Sequence, residues 1–176
     1  MKFLTKLFCF GCTNILIIVV ASASSSVSAG WLEKVTPTHP APELNLKDLA
    51  GVSYDLNQFK GKTVLINFWT TWCPPCIEEM PSLISLRRAM EQSDFVILAV
   101  NVEEAKRRVD NIARRLKLNF PVLLDVNREA ANAWDVKVFP SSFLVDAKGR
   151  LGYRAIGPVA WDSDEISSVI LGLTKE

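Results

Sequence analysis

Two stretches of this chain are almost without polar residues. Val64 to Trp69 carries only Asn67 among apolar neighbours, and Phe95 to Val102 carries only Asn101. Short apolar runs of this kind predict strands buried on both faces, as in the middle of an α/β sheet. Pro75 to about Glu91 lies between them and predicts a helix with Ile77, Leu83, Leu86 and Met90 facing inward, so a β-helix-β crossover joins the two strands. From Glu104 to Leu116, Ala105, Val109, Ile112, Ala113 and Leu116 fall on one helical face. Lys106, Arg107, Arg108, Arg114 and Arg115 take the remainder, which reads as a solvated face. A short strand is expected at Val122 to Leu124, a short helix at Arg128 to Trp134, and a hairpin from Ser142–Val145 and Arg150–Ile156 around Asp146-Ala147-Lys148-Gly149. Ser163 to Leu173 predicts a closing helix capped by Asp162 or Ser163. Ahead of the first buried strand, Glu43–Leu46 and Val52–Leu56 flank Asp48-Leu49-Ala50-Gly51 and predict a small hairpin.

The N-terminal pattern is different. Lys2 and Lys6 precede a mostly apolar run from Leu7 to Val20, and small residues follow from Ala21 to Ala29. Residues 1–29 therefore read as an export signal cleaved before Gly30, or as a retained membrane anchor. Both place the remainder outside the cytoplasm. Residues 30–42 hold Pro37, Pro40 and Pro42 without periodicity and read as a linker, leaving residues 43–176 as one domain. Hydrophobic residues at 49% suffice for a core without structural disulfides or metal, and a formal net charge of +1 argues against nucleic acid as a partner. Cys9 and Cys12 fall in the export segment and are incidental.

Cys73 and Cys76 remain, as Cys73-Pro74-Pro75-Cys76 between the first buried strand and its helix. With Cys73 as N-cap and Pro74 as the first helical residue, the missing proline N–H costs nothing. Pro75 also lacks an N–H, so the donor nearest the Cys73 sulfur is the Cys76 N–H. A helix N-terminus favours a thiolate there. Cys73 is then placed as the exposed attacking thiolate and Cys76, one turn in, as the resolving thiol. Zinc would need two more ligands, and the only histidine, His39, lies in the linker. No metal or organic cofactor is expected beyond a redox-active Cys73–Cys76 disulfide. Trp72, on a connecting loop, suits an apolar rim for a substrate chain, whereas Trp69 suits the core.

Phe68 to Cys76, with Glu78-Glu79-Met80-Pro81 after it, resembles the thioredoxin superfamily, and more narrowly the exported TlpA/ResA-like reductases that include the cytochrome c maturation thioredoxins. Val136 to Asp146 is similar to that family's second landmark, with Pro140 at the position of its cis proline. The resemblance implies a three-layer thioredoxin-like α/β fold, with a central mixed sheet of four to five strands and helices on both faces. It also implies a substrate contact around Phe139 and Pro140. Asn67 stands where cytoplasmic thioredoxins place a buried aspartate, and Asn cannot take up a proton. Glu79, three residues after Cys76 and on the same helix face, is the candidate to shuttle the proton instead, whereas Glu78 reads as a surface charge. The implied activity is reduction of disulfides in proteins, apocytochrome c among them, with a membrane thiol donor on the same side.

A disulfide-forming oxidase remains the alternative, because Pro-Pro offers no titrating group that sets the direction. A peroxiredoxin is disfavoured by Ile66, which stands where that family has proline. A copper-delivery module of the same fold is disfavoured by the close cysteine spacing and the lack of a later histidine.

Overall fold

The two apolar runs pair side by side in the middle of the sheet. In the computed structural model, which describes residues 32–174, they are β4 (Thr63–Trp69) and β5 (Phe95–Val102), parallel, with Val64 opposite Val96 and Phe68 opposite Val100. All seven residues of β4 are buried, including Asn67. β6 (Val122–Asp125) continues the parallel set beyond β5. On the other side of β4, β7 (Ser141–Val145) and β8 (Arg150–Ile156) add antiparallel. These five strands are the expected mixed sheet.

Two additions extend it to eight strands. The predicted hairpin, β2 (Asn45–Asp48) and β3 (Ser53–Asp55), joins the β6 edge. At the opposite edge β1 (Glu33–Pro40) pairs antiparallel with β8, with an irregularity between Lys34 and His39. The reading of residues 30–42 as a linker is thereby corrected. An edge strand needs backbone partners on one side only, so it tolerates Pro37 and Pro40. Seven of its eight residues are exposed, which explains why no apolar alternation marks it. The export segment read over residues 1–29 lies outside the described residues.

Helices cover both faces. α1 (Pro74–Ala89), α2 (Lys106–Leu116) and α4 (Asp164–Leu173) pack on one face, with Leu83, Val109, Ala113, Ile166 and Ile170 in a single buried cluster. On the other face α3 (Glu129–Ala133) and a short 3-10 turn at Leu56–Phe59 pack against Ile66, Phe68 and Leu98. Ser163 caps α4 by accepting the Ile166 N–H. α2 begins two residues later than the pattern suggested, which leaves Glu104 outside the helix. The helical α1 runs through Pro81.

Candidate active site

β4 ends at Trp69, and four residues later Cys73 opens α1. Cys73 has extended backbone (φ −92°, ψ 103°), Pro74 and Pro75 fill the first two helical positions, and the Cys73 Sγ accepts the Cys76 N–H at 3.3 Å. The predicted donor is therefore the observed one. Cys73 and Cys76 form a disulfide with their Cα atoms 5.3 Å apart. Cys73 is only 3% exposed, far less than the attacking position suggested, because its sulfur is bonded to that of the fully buried Cys76. It is nevertheless Cys73, and not Cys76, that lines the neighbouring surface groove.

That groove has a volume of about 500 Å³ and is walled by Trp72, Pro74, Arg128, Val138 and Phe139. Trp72 is 62% exposed, as a rim residue should be, and Trp69 is buried as expected. Trp72 and Phe139 meet edge to face with ring centroids 6.0 Å apart, an attractive arrangement for two aromatic rings. The Phe139–Pro140 peptide is cis. Pro140 is buried behind Phe139 and does not itself line the groove; its carbonyl accepts the Gly157 N–H at 2.9 Å.

Three residues beyond Cys76 in α1, Glu79 is 4% exposed. Its Oε1 accepts from Asn67 Nδ2 at 2.7 Å; its Oε2 accepts from the Val159 N–H and the Trp161 Nε1–H, each at 3.2 Å. Three donors favour the carboxylate, yet burial outweighs them and raises the pKa to about 7. Glu78 is exposed, as expected. Asn67 also donates to Ser142 Oγ at 2.9 Å, so the same side chain ties α1 to β4 and β7. Trp161, fully buried ahead of α4, had no mark in the sequence beyond being an aromatic residue near the end of the chain.

The other residues that sequence reasoning missed are acidic. Glu104 is 7% exposed, and its carboxylate accepts both the N–H and the Oγ1–H of Thr71 in the active-site loop, together with Asn101 Nδ2–H at 2.8 Å. Glu103, beside it, pairs with Arg128 at 2.8 Å. Only the tertiary contact reveals either role, since a Glu-Glu pair before a basic helix looks like ordinary surface charge.

A mixed sheet whose central strand delivers a Cys-x-x-Cys to a helix N-terminus defines a thioredoxin-fold protein. The AhpC/TSA family profile matches residues 37–154. The chain is 36% identical to the thiol-disulfide oxidoreductase ResA of Geobacillus thermodenitrificans (strain NG80-2) over 142 residues, covering 79% of this chain and 82% of the relative. Among solved structures it is similar to StoA from Bacillus subtilis, with a TM-score of 0.60 and 30% identity over 70% of this chain and 92% of that one. It is also similar to a thiol:disulfide interchange protein of the thioredoxin family from Chlorobium tepidum TLS, with a TM-score of 0.70 and 27% identity over 78% and 99%. The chain belongs to the AhpC/TSA family and stands with its ResA-like thiol–disulfide oxidoreductases. It is a thioredoxin-fold redox enzyme. Because these relatives carry the oxidoreductase name, the family match lends nothing to the peroxidase reading set aside on Ile66.

Proposed function

We propose that this enzyme reduces disulfides in protein substrates on the extracytoplasmic side of the membrane, using Cys73 and Cys76 as its dithiol. The observation that carries the reading is the Cys73 sulfur, hydrogen-bonded at the start of α1 and lining a groove rimmed by Trp72 and Phe139. In the reduced enzyme the Cys73 thiolate attacks a substrate disulfide held in that groove, against Trp72 and Phe139. One substrate thiolate leaves and a mixed disulfide remains. Glu79, poised near neutrality, takes the proton from Cys76. The Cys76 thiolate then attacks Cys73 Sγ, expelling the second substrate thiolate and closing the Cys73–Cys76 disulfide. Two electrons pass from enzyme to substrate, and a membrane thiol donor on the same side restores the dithiol. Apocytochrome c is the substrate that the family resemblance puts first.

Export rests on the N-terminal pattern: a basic start, an apolar run and small residues before Gly30. A chain that is a reductase in an oxidising compartment should have a potential nearer thioredoxin's, about −270 mV, than the value of about −120 mV of the oxidant DsbA. Thiol trapping in intact cells tests the direction. The pair should be mainly reduced, and oxidised once the membrane donor is deleted. A pair oxidised in both strains, with a potential near the DsbA value, would establish the oxidase direction instead.

A further inference from the structure

The end of β5 carries two consecutive acids that reach the two aromatic residues of the groove's rim from different sides. Glu104 turns inward, where its carboxylate takes both hydrogen-bond donors of Thr71, the residue immediately before Trp72. Asn101, on β5 itself, donates to the same carboxylate and anchors it to the sheet. Glu103 points the other way. Its Oε2 accepts from Arg128 Nη1 at 2.8 Å; Arg128 Nη2 donates to the Val136 carbonyl at 3.2 Å, and the guanidinium lies over the Phe139 ring, 5.6 Å from its centroid. A guanidinium over an aromatic face is attracted by the ring quadrupole and restricts the ring.

What sends neighbouring side chains in different directions is the backbone. Glu103 has a φ of 56°, in the left-handed region that non-glycine residues seldom adopt. Its N–H is held by the Asp125 carbonyl at 3.0 Å. Asp125 in turn accepts the Ala130 and Ala131 N–H groups at 3.2 and 2.8 Å, which fixes the start of α3 next to Arg128. Backbone strain at such a point is retained where the surroundings over-determine it, commonly at a functional site. Here the surroundings are the two sides of the groove's aromatic rim.

We infer that Glu103 and Glu104 are positioning residues for substrate recognition, holding Phe139 and Trp72 in the edge-to-face contact that forms the aromatic rim on which a peptide segment packs. The inference rests on the reading that this groove receives the substrate. Neither acid touches the reacting sulfurs. Their effect is on how well a polypeptide is gripped, not on the thiol chemistry. Glu103 is exposed and Arg128 half-buried, so the pair keeps solvent access, adds little to overall stability and can be broken in a folded protein.

The full chain, pre-reduced, is assayed in single turnover against a cystine-bridged peptide and against a small aliphatic disulfide with no side chains to fill the groove. The quantity read is the ratio of the two second-order rate constants, which a general loss of folded enzyme leaves unchanged. Glu103→Asn, which tolerates the left-handed backbone, and Arg128→Gln should each lower the ratio about fivefold, the effect of losing one modest contact. Their combination should lower it no further, because both break the same link. Glu104→Gln should lower the ratio too, and Thr71→Val serves in its place should that variant not fold. Trp72→Ala and Phe139→Ala test the groove itself. If they lower the ratio while the Glu103 and Glu104 variants keep the wild-type value, the positioning role is overturned and the groove stands. If the two aromatic variants also keep the wild-type ratio, the groove reading fails and the positioning role with it.

Discussion

Asn67 Nδ2 lies 2.7 Å from Glu79 Oε1, at a point where both side chains are buried. Twelve residues separate them in sequence, and they come together because β4 feeds directly into α1. On the strand stands an amide, so the titratable carboxylate of this pair is the one on the helix. The amide helps to satisfy that carboxylate and holds no proton of its own to give up.

Glu79 should make the protein less stable as pH rises. Its folded pKa is raised from 4.5 to about 7, mainly because burial penalises the charge. Between those values the folded state keeps a proton that the unfolded chain releases. Stability is therefore fully present below about pH 4.5, falls through the interval and is level again above about pH 7, with a total change of about 3 kcal/mol. Urea unfolding of the disulfide form across pH 4–8 measures it. Glu79→Gln should remove most of the slope, and Glu78→Gln, on the exposed face, should leave it. Equal slopes for wild type and Glu79→Gln would exclude Glu79 as the group responsible.

Asn67→Asp should place a carboxylate on the strand at the cost of a second buried charge. Two carboxylates at this separation cannot both ionise readily, so they should share one proton and titrate as a pair, with the upper apparent value above that of Glu79 alone. Above that value the variant should lose on the order of 3 kcal/mol relative to wild type, the scale of an uncompensated buried charge. Carboxyl carbon NMR on labelled protein follows the titration. A Glu79 signal that titrates unchanged in Asn67→Asp would mean the two groups are uncoupled in solution.

The parts of this molecule that were legible in the sequence are those whose signal is local. β4 and β5 announce themselves because a strand buried on both faces has almost no polar positions. The Cys73 cap, with its Cys76 N–H donor, follows from two prolines that can donate nothing. Glu79 was legible from its spacing to Cys76 taken together with the family resemblance. Its partners were not: Val159 and Trp161 lie some eighty residues away and meet it only through the packing of α4. β1 was hidden for the opposite reason. Its contribution is made by backbone groups, and its side chains carry no pattern. Glu103 and Glu104 were hidden by resemblance to ordinary surface acids, since only the turn at the end of β5 assigns one to each side of the rim.

The β1 edge gives a test of what that strand contributes. Val35 is its partly buried apolar contact, and Glu33 pairs with Arg154 at 2.9 Å between exposed side chains. Little apolar area is at stake, so a chain beginning at Ala41 should fold and lose on the order of 1–2 kcal/mol. It should also bare the outer edge of β8, which carries Ile156 at 60% exposure. An uncovered strand edge invites pairing with a second copy. Light scattering should therefore find self-association that grows with concentration in the truncated chain and is absent with β1 in place. A truncated chain that stays monomeric at high concentration would show that β1 does not protect this edge.

The two cysteines should divide their work unequally. Cys73 lines the groove, and Cys76 is fully buried behind it, so a substrate sulfur can approach only the former. Cys76→Ser leaves Cys73 able to attack but removes the thiol that would release the substrate. Mixed disulfides with substrate proteins should therefore accumulate in Cys76→Ser and survive non-reducing electrophoresis. Cys73→Ser leaves a thiol without access to the groove and should trap almost nothing. Replacing Glu79 with Gln in the otherwise intact pair should give an intermediate result, because the resolving thiol is present but its proton has nowhere close to go. Its mixed disulfide should form at the wild-type rate and decay more slowly, most visibly near neutral pH, where the wild-type carboxylate is partly ionised. Rapid-quench alkylation separates the two steps. Equal trapping by Cys73→Ser and Cys76→Ser would overturn the assignment of attacking and resolving thiols, and an unchanged decay in Glu79→Gln would remove Glu79 from the proton path.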